Sequence, residues 1–106
     1  MITVNFDEKA LRFIQEKSLS SFLIDVFLME EPCVQVFSHV IKIKFSDNEE
    51  FAHKTNVNGI EILISNQFIE QFGKYEKLLI SIKGLIRKQL YIKNIEPVIK
   101  NVCKIN

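Results

Sequence analysis

The chain has 106 residues, 47% of them hydrophobic and 25% charged, with a formal net charge of +1. That length and mix suit one domain with a single core, spanning residues 1–106, and exclude a disordered chain or two separate domains. A near-neutral total also argues against a surface built for nucleic acid, which usually carries a basic stripe.

Ile2, Val4 and Phe6 alternate with polar neighbours, which predicts a first strand. Asp7 then offers a side-chain cap for a helix running to about Lys17, with Ala10, Leu11 and Ile14 as its buried stripe. After "SLSS", the segment from Phe22 to Met29 is apolar at nearly every position except Asp25 and predicts a strand covered on both faces. The loop "MEEPC" follows, where Pro32 removes a backbone donor and forces a turn or an edge. Val34 and Val36, then Ile41, Ile43 and Phe45, predict further extended chain, with Lys42 and Lys44 on a wet opposite face. "SDNEE" is a turn by composition. Phe51 to Val57 and Ile60 to Ile64 predict a hairpin joined by Asn58-Gly59, the pair that best tolerates the positive φ angles of a tight turn. Ser65 caps a short helix through Phe72, and Gly73 suits its end. Leu78 to Lys83 and Gln89 to Ile92 are two more strands divided near Gly84, and the tail from Glu96 predicts one last strand or short helix. The expected class is mostly β (α+β), with more strand than helix and the main helix near the N-terminus.

The apolar runs "FLIDVF" and "LLISI" stop well short of the roughly 20 residues that cross a bilayer, so neither a transmembrane helix nor a membrane partner is expected. "MITVNFDEKA" places acids where a signal peptide has a basic end, which points to the cytoplasm. In that compartment Cys33 and Cys103 are expected as free thiols or ligands more than as a disulfide. Charge is polarised along the chain, with nine acids and five bases in residues 1–53 against four acids and nine bases in residues 54–106. Lys83, Arg87, Lys88 and Lys93, with Tyr91 among them, could contact phosphates, but the bland reading, a solvated strand face, is preferred to a nucleic-acid site.

The order of these pieces resembles the HesB-like family of A-type iron–sulfur cluster carriers. The stretches that carry the resemblance are "MITVNFDEKALRFIQEK", "FLIDVFLMEEPC" leading into Cys33, "NVNGIEILIS" and "LLISIKG". It implies a HesB-like β domain of short mixed strands and hairpins with an N-terminal helix. It also implies a scaffold in iron–sulfur cluster biosynthesis, and partners among assembly or recipient proteins. The family's ligands are a cysteine in the loop after the apolar strand and two more in a C-terminal Cys-x-Cys. Cys33 matches the first position and Cys103 lies near the second, while Ile105 stands where a further cysteine is expected and Pro32 occupies the place of a neighbouring one.

The resemblance therefore implies a depleted ligand set, with Cys33 and Cys103 as candidate cofactor ligands for an iron–sulfur cluster, iron or zinc. Clusters are commonly held by four thiolates, so two chains would have to share one, which goes with a homodimer. A small β domain also leaves strand edges that can pair with another chain. His39, together with His53, could complete a zinc site with Cys33, since cysteine and histidine bind zinc together. Cys33 and His39 lie six positions apart, and the face each takes depends on whether a bulge intervenes. The structural alternative is that each cysteine packs as a small hydrophobe. Glu30 and Glu31 read as solvated charges. Ser38-His39 is adjacent in extended chain, where side chains diverge, and no phosphate-binding glycine loop or dinucleotide fingerprint is present. The expectation is a non-enzymatic protein with weak, dimer-shared or lost metal binding, or else a metal-free interaction module on the same scaffold.

Overall fold

A computed structural model describes residues 2–45 and 51–103. Among the described residues the chain forms eight strands and two helices, ordered β1 (Thr3–Phe6), α1 (Glu8–Glu16), β2 (Ser21–Glu31), β3 (Val34–Lys42), β4 (His53–Val57), β5 (Ile60–Ile64), α2 (Asn66–Phe72), β6 (Lys77–Lys83), β7 (Gln89–Ile92) and β8 (Val98–Asn101). The class is mostly β with an N-terminal helix, as expected. The predicted turn at "SDNEE" lies outside the described residues.

Local chemistry accounts for the element ends. Asp7 caps α1 by accepting the Ala10 N–H through Oδ1 at 2.8 Å, and its second oxygen accepts the Ser81 hydroxyl. The buried stripe is Ala10, Phe13 and Ile14, so Phe13 takes the place expected for Leu11. The helix ends in paired reverse bonds, from Leu19 N–H to the Ile14 carbonyl and from Ser18 N–H to the Gln15 carbonyl. Ser18 takes the left-handed position that glycine usually fills there, at φ 53°. Ser65 caps α2 by accepting the Phe68 N–H at 3.0 Å. Asn58 and Gly59 have φ of 54° and 80°, the two positive values that a tight β4–β5 hairpin demands.

The strands form two sheets. One has the order β1-β6-β7, with β1 parallel to β6, and the other has the order β4-β5-β2-β3-β8, with β5 parallel to β2. Each helix carries the chain from one sheet to the other, α1 between β1 and β2 and α2 between β5 and β6. The core fills the space between them. Ala10, Phe22, Ile24, Ile62, Ile64, Phe68, Phe72, Leu78, Ile80 and Ile92 are its most buried members.

The expectation that β2 is covered on both faces holds for Phe22, Leu23 and Ile24 and fails beyond them, where Phe27 to Glu31 are all exposed. Ile24 is the last fully buried residue of β2, and Val26, Phe37 and Val98 are partly buried against the core, but the β2–β3 ladder continues beyond them. It projects as an arm, and the molecule measures 53 × 31 × 26 Å. Its radius of gyration, 14.9 Å, exceeds the roughly 13 Å of a compact domain of this length.

Candidate functional site: a braced sheet arm

The arm is built from a ladder without a bulge, in which every residue from Leu23 to Glu31 pairs in turn with one from Lys42 to Val34. Pro32 and Cys33 make the two-residue turn at its tip. Proline presets the first turn position, and Cys33 takes a φ of 70° at the second, the pattern of a type II turn, which normally wants glycine or asparagine there. β8 then adds along the outer edge, pairing Val36 with Ile99 and Phe37 with Val98. The Val102 N–H donates to the Cys33 carbonyl at 2.9 Å, and the chain delivers Cys103 to Cys33.

The two cysteines form a disulfide across a sequence separation of 70, with Cα atoms 4.6 Å apart. The expectation of free thiols or ligands is corrected here. An antiparallel strand returning along β3 ends where β2 turned, and it brings two residues remote in sequence to one point. Both sulfurs are consumed by the bond, so in this state neither is a thiolate ligand.

His39 is not brought to them. It lies on the core side of β3, roughly 20 Å along the strand from Cys33 at about 3.4 Å per residue. Its Nε2 accepts the Ile92 N–H at 2.9 Å, which ties the two sheets together and requires the neutral ring. Burial, and secondarily the Lys83 ammonium, hold its pKa below the ordinary histidine value. His53 sits on β4, separated from β3 by two intervening strands. Among the described residues no group of three or more histidine, cysteine or acidic side chains is placed to hold a metal ion. The residues implied for a cluster or zinc therefore do not fit one in this state. Glu30 and Glu31 are exposed at the arm's tip, and Ser38 and His39 point to opposite faces of β3.

What the sheet does assemble is an apolar surface that sequence reasoning missed. On the face away from the core, Met29, Val36 and Ile99 stand in register across β2, β3 and β8. Phe27, Val34 and Val40 share that face by the two-residue alternation. Phe27 is 57%, Met29 48% and Ile99 69% exposed, although such side chains normally gain by leaving water. The row is bounded at the body end by the Asp25–Lys42 ion pair at 3.1 Å and at the tip by Glu31. Burial opposes the charge on Asp25, but the Ser65 hydroxyl, the Val26 N–H and Lys42 outweigh it and keep its pKa low. The readable signal was the spacing of Phe27, Met29, Val34 and Val36, which puts them on one face once the Pro32 turn reverses the chain.

Comparisons with protein-family models, with curated proteins and with solved structures find no match. The HesB-like resemblance has no support from them.

Proposed function

We propose that this protein is a non-enzymatic interaction module that pairs with a second copy of itself through the outer face of the arm. The observation that carries this reading is the apolar row Met29–Val36–Ile99, exposed at Met29 and Ile99 and half-buried at Val36, on a projecting, disulfide-braced element. Uncharged between its two ends, the row is self-complementary in the way a twofold interface requires. Arms laid antiparallel would set Glu31 of each copy against Lys42 of the other. The edge is a poorer route, because β8 is short and carries Lys100, features that discourage edge pairing. The test is sedimentation of the wild type and a Met29→Glu variant. A dimer that the variant dissociates supports the reading; a wild type that stays monomeric at high concentration, or a dimer indifferent to the variant, overturns it.

A second reading is favoured by the meeting of Cys33 and Cys103 at an exposed tip. In a reducing cytoplasm the pair opens to two adjacent thiolates per chain, and a dimer joined tip to tip, in place of the antiparallel one above, then offers four, the number a cluster takes. That would make the protein a divergent HesB-like carrier with its cluster as shared cargo. Anaerobic purification under reductant, followed by metal and sulfide analysis, separates the readings. Stoichiometric iron and sulfide favour the carrier, and metal-free protein favours the module.

A further inference from the structure

The loop between β6 and β7 presents the least buried apolar side chains described in the molecule. Leu85 is 99% and Ile86 96% exposed, so neither rests on anything in the fold. Their placement is built in by Gly84, whose φ of 107° turns the chain back so tightly that a β-carbon there would collide with the Arg87 carbonyl. The loop is closed at its base by the Lys83–Gln89 pair of the β6–β7 ladder.

Bases surround this apolar tip. Lys83, Arg87 and Lys88 flank it in sequence. Lys9 and Arg12, three apart on one face of α1, line a hollow beside it together with Lys88 and one acid, Glu16. The hollow has a volume of about 340 Å³, within the range of small-ligand sites. None of the five bases is in an ion pair among the described residues. Lys93, which the sequence groups with them, faces Asp7 at 4.0 Å instead.

We propose that this loop docks the protein on an anionic phospholipid surface, with Leu85 and Ile86 entering the interface and Lys9, Arg12, Arg87 and Lys88 meeting headgroup phosphates. Aliphatic side chains bracketed by bases match the two layers of such a surface, and each signal is weak alone while the two together suffice for stable docking. A nucleic acid would use the charge but not the aliphatic tip. It would also want a free aromatic face to stack on, and the ring of Tyr91 already carries the Lys83 ammonium at 5.3 Å from its centroid. No described helix is long and apolar enough to cross a membrane, so the contact is peripheral and departs from the expectation of no membrane partner.

The test is co-sedimentation with phosphatidylcholine vesicles, with or without phosphatidylserine, at low and high salt. The wild type should pellet with the anionic vesicles alone and be released by salt. The combined Leu85→Ser and Ile86→Ser variant should bind more than tenfold more weakly, since burying each aliphatic chain contributes well over one order of magnitude. Arg87→Gln and Lys88→Gln should each weaken binding about fivefold. All four positions are exposed, so an unchanged circular dichroism spectrum and melting midpoint will show that the variants fold. No pelleting with anionic vesicles, equal binding to neutral ones, or an unaffected serine variant would overturn the proposal. So would nucleic-acid retention in place of vesicle binding, or a serine variant that alters self-association in the absence of lipid.

Discussion

His39 adds one hydrogen bond between the two sheets through Nε2, and protonation removes that atom's lone pair. Its folded pKa lies below the unfolded reference of 6.5, so the unfolded chain binds the proton more readily. The contribution of this group is fully present above that reference and is lost as pH falls from about 6.5 through the lower folded value. Urea unfolding at about pH 7.5 and about pH 5 should show that loss, with a shallower slope in a His39→Leu variant. The variant should also be less stable by about 1–3 kcal/mol at neutral pH, because the Ile92 N–H is left without its acceptor. Ser18 offers the opposite case. A side chain in the left-handed conformation costs about 1 kcal/mol relative to glycine, and Ser18 is exposed with no packing to lose. Ser18→Gly is therefore expected to raise the urea midpoint.

At the scale of elements, the disulfide has more to hold than any single hydrogen bond. Closing a separation of 70 residues corresponds to about 4 kcal/mol of unfolded-chain entropy. Cys103→Ser should lower the stability by a large part of that amount. β8 has exposed residues along most of its length and pairs only with β3, so its amides from Val98 to Asn101 should lose hydrogen-exchange protection first. Equal loss of protection throughout the core would show instead that β8 and the body open as one unit.

Over the whole molecule, the long ladder decides the shape. β2 is 11 residues long and the core covers only its first part, so the remainder must project and leave Phe27, Met29 and Ile99 in water. Small-angle scattering on the Met29→Glu variant should give a monomer whose radius of gyration is nearer 14.9 Å than the roughly 13 Å of a compact domain. A compact value would mean that the arm folds back on the body, and the apolar row would then no longer be a surface.

Signals contained within a few neighbouring residues were legible in the sequence. Asp7 and Ser65 cap helices because the bonded N–H lies three residues away, and Asn58-Gly59 turns a hairpin because the two residues themselves set φ. The period-two pattern likewise located most strands, and strand outweighs helix as those patterns require. What depended on distant residues was not legible. The meeting of Cys33 with Cys103 follows from β8 returning along β3, and the engagement of His39 follows from the contact between two sheets. An apolar run such as Phe22–Met29 reads the same whether it lies under a core or beyond one. Local backbone preference and alternation act between near neighbours and were determined by the sequence alone. Pairing of remote strands, and where the core ends, are set by which surfaces meet, and only the tertiary structure decided them.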